Sequence, residues 1–150
     1  MKGYPRWFPR LLGAASVVLG VTGLLLATTT LEMRAELELG WHAAGAVRTW
    51  GSACHALAGF MLMLFCGALW SIHMRAGWRR RQHRRSGLAL ALLLCALAGT
   101  AVGIYYSGDA ELGNWFGYGH LAGGALLLVT LAWHWVRGRR LRRRYGTAKR

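Results

Sequence analysis

Acidic residues are scarce in this chain, which has five Asp and Glu against 19 Lys and Arg in 150 residues. None of the five lies inside the long apolar stretches; they are Glu32, Glu36, Glu38, Asp109 and Glu111. An intramembrane proton relay would need a buried carboxyl group, and a structural zinc site would need four clustered ligands, usually with Cys or carboxylate. The sequence indicates neither.

Cysteine is also sparse, and its spacing excludes further classes of site. Cys54, Cys66 and Cys95 are odd in number and form no C-x-x-C or C-x-x-C-H pattern. A disulfide framework, a zinc knuckle and a covalent haem attachment are therefore not expected. H-E-x-x-H, a Gly-rich phosphate loop and a Ser-His-Asp arrangement are absent as well. We expect the three thiols to be small buried side chains and the protein not to be an enzyme.

Apolar residues are abundant and fall into four blocks, at about 11–31, 52–73, 88–106 and 117–136. Each block is near the ~20 residues that span a bilayer as a helix. The first block resembles a signal peptide, but it is long and lacks a clear cleavage site, so we expect a helix there too. The sequence predicts an all-α integral membrane protein, a single domain over residues 1–150 folded as an up-down-up-down four-helix bundle.

The net charge of +14 is distributed by membrane side. Seventeen of the 19 basic residues precede the first block, link the second and third, or follow the fourth. Only Arg34 and Arg48 lie on the other predicted side, with all five acids. This positive-inside pattern predicts both termini in the cytoplasm. The basic runs then serve topology and contacts with anionic membrane lipids, and nucleic-acid binding is not expected.

The loops and an internal repeat complete the pattern. The longest connection, about 32–51, is predicted to lie outside and has room for a short interfacial helix, whereas "SGDAELGN" reads as a short turn.

"WGSACHALAG" and "WFGYGHLAGG" share W-x4-H-x3-G at the start of the second and fourth helices. This weak repeat suggests two equivalent helical hairpins.

Four of the six histidines occupy matching helix ends. His55 and His120 open the second and fourth helices, and His73 and His134 close them. At about 100° per residue, eighteen residues return to the same face and fourteen return within about 40°, about 21 Å along the axis. Since the second and fourth helices are diagonal in such a bundle, the sequence predicts an outer and an inner imidazole pair. His42 and His83 lie in loops and are expected to be solvated.

The ligand that best suits paired diagonal imidazoles is haem, whose iron accepts axial histidine. Two axial histidines leave no open position, which favours electron transfer over oxygen chemistry. Gly59 and Gly124, one turn past the outer histidines, would leave room for the macrocycle. Four glycines on the other two helices could also make room: Gly20, Gly23, Gly99 and Gly103. Four arginines near the membrane surfaces could pair with haem propionates: Arg48, Arg75, Arg79 and Arg137.

Two points weaken this interpretation. Glycines in membrane helices commonly serve close packing, and an interfacial histidine is commonly a polar end group. The spacing also differs between the helices, because a fourteen-residue step from His55 reaches Leu69 and not His73. The outer pair is thus the firmer prediction, and the inner pair requires a tilt or offset unless His73 lies at the water interface.

The motifs "HMRAGWRRRQHRRSG", "GIYYSGD" and "GHLAGG…HW" resemble the flavinylation-associated cytochromes, small bacterial four-helix membrane proteins related to cytochrome b. The resemblance covers about residues 11–140 and implies b-type haem and electron transfer toward extracytosolic flavoproteins. His55, His73, His120 and His134 match the histidine positions of that family. Cys54 departs from the apolar residue expected before the first histidine.

The sequence therefore predicts a transmembrane electron carrier with haem b, two per chain, relaying electrons from a quinol or cytoplasmic-side donor to a periplasmic flavoprotein or cytochrome. It leaves open whether the chain has a quinol-oxidising site, and it gives no oligomeric state. Two alternatives remain: a non-haem membrane anchor or scaffold subunit of a redox complex, and a haem or metal transporter component. A transporter would need an opening path, which broken helices usually provide.

Overall fold

The computed structural model describes residues 3–80 and 84–147, with side chains as far as residue 140. Four long helices make up these ranges: α1 (Trp7–Ala35), α2 (Gly45–Arg79), α3 (Arg84–Tyr106) and α4 (Ala110–Thr147). No strand occurs in the described part of the chain. All four helices are long and apolar enough to cross a membrane, so the predicted all-α membrane bundle is confirmed.

The helices extend beyond the apolar blocks, and this shortens the predicted loops. Residues 36–44 are the only non-helical part of the long connection, and they contain no interfacial helix. Ala, Leu, Glu, Met and Arg, which favour helix, carry α1 onward to Ala35. There Glu36 adopts a left-handed conformation (φ 53°), and its N–H bonds the carbonyl of Leu31, as at many helix C-termini.

The second outer turn is equally short because α4 begins inside the stretch predicted as loop. Gly108 takes a left-handed φ of 64°, which costs glycine little since it lacks a Cβ. The next residue, Asp109, caps the helix: its Oδ1 accepts the N–H of Leu112 at 2.7 Å. A carboxylate cap satisfies one of the free N–H groups at the start of a helix. The turn therefore spans only residues 107–109.

Contacts between helices define the topology. Phe8 near the start of α1 packs edge-on against Phe65 late in α2, with ring centroids 5.3 Å apart, so α1 and α2 are antiparallel. On the other hairpin, Gly103 late in α3 meets Phe116 early in α4. The hairpins join mainly along α1 and α4. Consequently α2 and α4 run in the same direction on the diagonal of the bundle.

The bundle has a narrow interior and an apolar exterior. Ala58, Leu62, Phe65 and Leu127 are buried, whereas most large apolar side chains point outward. Lipid tails are as apolar as leucine, so such side chains need no protein partner in a bilayer. The exterior thus suits a multi-pass membrane protein in contact with lipid.

Gly103 provides a test of the packing within the second hairpin. A Cβ at this position would overlap the ring of Phe116, so Gly103→Ala requires the ring or the helix to move. We expect a loss of about 1–3 kcal/mol in stability, the usual cost of overpacking. Thermal unfolding in detergent, followed by circular dichroism, measures it.

Gly99, one turn earlier on α3, is the matched control. A Cβ there meets nothing within 4 Å, so Gly99→Ala should leave stability unchanged or raise it, because alanine favours helix more than glycine does. Equal unfolding temperatures for the two variants would contradict the close contact between α3 and α4.

Candidate functional site

The outer imidazole pair lies where α2 and α4 face each other across the bundle. The ring centroids of His55 and His120 are 6.1 Å apart, and their planes are inclined by 70°. Both residues are partly buried. The structure thus brings these two histidines together at one level, as the sequence predicted.

The inner pair has nearly the same geometry at the other end of the helices. The ring centroids of His73 and His134 are 6.3 Å apart, with planes inclined by 73°. His73 is the more exposed of the two rings. Two similar pairs therefore occupy two levels of one helix diagonal, separated along α4 by about 21 Å for fourteen residues at 1.5 Å each.

A π-helical turn in α2 contains His73 and changes its rotation relative to a regular α-helix. Residues Trp70–Met74 are π-helical, and the N–H of Arg75 bonds back to the carbonyl of Trp70. A π turn closes i→i+5 bonds and holds more residues than an α turn, so each residue rotates and rises less. The rotation from His55 to His73 is therefore less than the five full turns that eighteen α-helical residues would make. The rotation from His120 to His134 is likewise less than four full turns.

The separation of the rings suits two ligands on one metal ion. A metal–imidazole bond is about 2.0–2.1 Å long and a ring nitrogen lies about 1.1 Å from the ring centre, so opposed ligands place their centroids about 6 Å apart. No group of three or more His, Cys, Asp or Glu that could hold a metal occurs in the described ranges. A metal held by either pair would therefore take its remaining ligands from groups other than the described His, Cys, Asp and Glu side chains.

His55, His120 and His134 are each hydrogen-bonded through Nδ1 to a hydroxyl of the preceding helix. Thr22 Oγ1 lies 3.0 Å from Nδ1 of His55, and Thr100 Oγ1 lies 2.9 Å from Nδ1 of His120. At the inner level, Ser86 Oγ, which is buried, lies 2.9 Å from Nδ1 of His134. These contacts orient each ring and leave Nε2 as the nitrogen remote from the hydroxyl.

The glycines predicted to make room differ in their surroundings. A Cβ at Gly124 or Gly99 would meet nothing within 4 Å, and one at Gly59 would meet Leu19 at 3.8 Å. Gly23 lies against the outer pair, since its Cβ would come within 3.1 Å of Cε1 of His55.

Two other glycines of that set serve helix contacts instead. A Cβ at Gly20 would meet Leu128 at 3.3 Å, and Gly103 packs against Phe116. Close approach of helices is the common use of glycine in membranes, so these two positions join neighbouring helices and do not leave space.

Arg34 is a basic residue near the outer pair that the sequence did not single out. Its Nη1 donates to Oδ1 of Asn114 at 2.7 Å, and its carbonyl accepts the hydroxyl of Tyr118. Its side chain covers Gly117, where a Cβ would lie 2.9 Å from Cδ. Gly117 precedes His120 by three residues, so the guanidinium group lies about one turn outward of that histidine.

The arginines predicted to pair with propionates are exposed: Arg48, Arg75, Arg79 and Arg137. Near the inner end, arginines instead stack on tryptophan rings. Arg137 lies over Trp133 with its Cζ 5.6 Å from the ring centroid, and Arg139 lies 4.5 Å over Trp135. Tryptophan and arginine together suit the headgroup level.

The remaining candidates are two histidines and three cysteines. Nδ1 of His42 lies 2.5 Å from Oε2 of Glu32 on the outer side, and His83 is outside the described residues. Cys54, Cys66 and Cys95 are free thiols, and Cys54 and Cys95 are exposed. The expectation that all three are buried is wrong, because thiols on outward helix faces meet lipid.

Comparison of the chain with protein-family models, with curated proteins and with solved structures found no match. The resemblance to flavinylation-associated cytochromes therefore stays a prediction from sequence motifs. The two histidine pairs and their hydroxyl partners are the observations that bear on function.

Proposed function

We propose that this protein is a b-type dihaem cytochrome of a bacterial inner membrane. It carries electrons from a quinol or another cytoplasmic-side donor to a periplasmic flavoprotein or cytochrome. The observation that supports this most is the presence of two imidazole pairs, at 6.1 and 6.3 Å, at two levels of the parallel helices α2 and α4.

The chemistry of the donors suits haem. Each level offers two imidazoles and no third ligand among the described side chains, and a porphyrin supplies the other four nitrogens. His55 and His120 would hold one haem, and His73 and His134 the other. Bound there, haem would supply a one-electron couple, which suits electron transfer.

The chain contributes position and environment. The two levels lie about 21 Å apart along α4, which is most of the ~30 Å hydrocarbon core. Apolar side chains around the bundle keep water from its interior. The protein thereby holds one redox site near each membrane surface.

The distribution of charge supports the direction of transfer. The basic loops and termini adjoin His73 and His134, so the positive-inside rule puts the inner pair at the cytoplasmic side. Arg84 lies 5.0 Å over Trp78 and adds to the tryptophan–arginine pairs at that end, which are suited to anionic lipid headgroups. The donor would approach this end, and the acceptor would approach the end of His55 and His120.

Electron transfer across a bilayer tests this function. The haem-loaded protein is reconstituted in lipid vesicles that enclose ferricyanide, and dithionite is added outside. We expect the enclosed ferricyanide to be reduced at least ~10-fold faster than in protein-free vesicles, as for a carrier with a site near each surface. A rate equal to that of protein-free vesicles would contradict the proposal.

A matched pair of variants makes the test specific. His134→Ala removes one inner ligand, so transfer should fall to the background rate. His42→Ala removes a histidine that contacts Glu32 and belongs to neither pair, so transfer should be unchanged. Loss of transfer in both would show that histidine replacement disturbs the bundle generally.

The alternatives account for less of the geometry. Edge-to-face aromatic rings pack at 4.5–7 Å, so a non-haem anchor could use the pairs for packing, but packing alone does not require histidine at both levels of one helix diagonal. A transporter would be expected to have discontinuous helices. The helices described over residues 7–35, 45–79, 84–106 and 110–147 contain no non-helical break.

A further inference from the structure

We propose that Thr22 and Thr100 are positioning residues that fix the tautomer of the outer histidines and lower the reduction potential of the outer centre. The first part concerns the protein alone, and the second rests on the proposed haem function. Both parts follow from which group accepts the one proton of each threonine hydroxyl.

The hydroxyl of Thr22 already has a use for its proton. Oγ1 lies 2.7 Å from the carbonyl oxygen of Val18, one turn earlier on α1. A carbonyl only accepts, and a hydroxyl has one proton, so we assign the proton of Thr22 to the short contact with Val18. Oγ1 is then an acceptor toward His55 at 3.0 Å, and this assignment places a proton on Nδ1 of the imidazole.

Thr100 repeats this arrangement on the second hairpin. Its Oγ1 donates to the carbonyl of Leu97 at 3.0 Å and lies 2.9 Å from Nδ1 of His120. Thr100 is therefore also an acceptor toward the imidazole. Each hairpin thus supplies a threonine from its first helix and a histidine from its second, which extends the W-x4-H-x3-G repeat to the neighbouring helix.

The tautomer that results is the one a metal ligand needs. A neutral imidazole carries one N–H, so a proton on Nδ1 leaves the lone pair on Nε2. Histidines that bind metals generally donate their other N–H to an acceptor, which fixes the ring and raises its basicity. A more basic ligand favours the more oxidised metal, so the two threonines should lower the reduction potential of the outer centre.

Histidine ¹⁵N chemical shifts of the haem-free full-length protein test the first part. We expect His55 and His120 to carry the proton on Nδ1 in the wild type. Thr22→Val and Thr100→Val should each lose this preference at the histidine they contact, and Thr22→Ser should retain it. A wild-type proton on Nε2 would overturn the proposal, whether or not the protein binds haem.

Redox titration of the haem-loaded protein tests the second part. In each valine variant, the equilibrium between the oxidised and the reduced outer centre should shift about 10-fold toward the reduced form. This shift corresponds to a rise of about 59 mV in the reduction potential of a one-electron centre. Its haem should also dissociate about 10–100-fold more readily, as is usual when such a partner is removed. An unchanged potential in the double variant would overturn the assignment of that role.

Thr28→Val is the matched control. Thr28 lies on the same helix, and its hydroxyl donates to the carbonyl of Leu25 at 2.9 Å. This variant should leave both the tautomers and the potential unchanged. A wild-type protein that takes up no haem would instead disprove the proposed cytochrome function, while the ¹⁵N result would still decide the role of the threonines.

Discussion

Replacing His55 and His120 together by alanine is expected to remove the proposed outer haem and to leave the proposed inner one in place. Each level has its own pair of imidazoles, and the levels are about 21 Å apart, so loss of one pair leaves the other intact. The haem content should fall from about two per chain to about one, because both axial ligands of one iron are lost. A pyridine haemochrome assay on purified protein measures this ratio.

His42→Ala is the control for this experiment as well. His42 contacts Glu32 outside both pairs, so its replacement should leave the ratio unchanged. If the His55 and His120 double variant kept its full haem content, the outer pair would not be an axial ligand pair. The bundle would then be better explained as an anchor whose histidines only pack together.

Moving the inner histidine of α2 back by one turn will abolish the inner site. The double variant Leu69→His/His73→Leu places an imidazole fourteen residues after His55, the spacing found on α4 between His120 and His134. The structure instead pairs residue 73, which lies within the π turn, with His134. A shift of four residues moves the ring about 6 Å along the axis, whereas metal–ligand distances tolerate only about 0.2 Å.

We therefore expect the double variant to bind about one haem per chain, because the inner iron loses an axial ligand. His73→Leu alone should give the same ratio, and Leu69→His alone should keep the wild-type ratio. Retention of both haems by the double variant would mean that position 69 serves the inner site, and that the π turn does not set the register.

The sequence predicted the helices and the histidine pairs because these depend on coarse features. Span length and apolar composition identify a membrane helix, and helical rotation between His120 and His134 follows from arithmetic. The π turn at Trp70–Met74 could not be predicted in this way. From the mismatch between Leu69 and His73, the sequence predicted a tilt, an offset or a His73 at the water interface.

The hydroxyl partners were out of reach for a different reason. A helix in water shows its inward face by an apolar stripe, whereas a membrane helix is apolar all round. The sequence therefore does not show which faces of α1 and α3 point into the bundle. In the sequence, Thr22, Thr100 and Ser86 appear only as isolated polar residues. Arg34 was missed because its contact with Gly117 depends on the same rotations. For Thr22 and Thr100, the likeness between "GVTGLLL" on the first helix and "GTAVGIYY" on the third was the available signal.

The haem content of the purified chain tests the central claim most directly. The full-length protein is produced with haem supplied, purified in detergent, and measured by pyridine haemochrome assay and by its reduced-minus-oxidised spectrum. We predict about two haems per chain with the spectrum of iron held by two axial histidines. A folded, haem-supplemented preparation with no haem absorbance would contradict the assignment of this protein as a cytochrome.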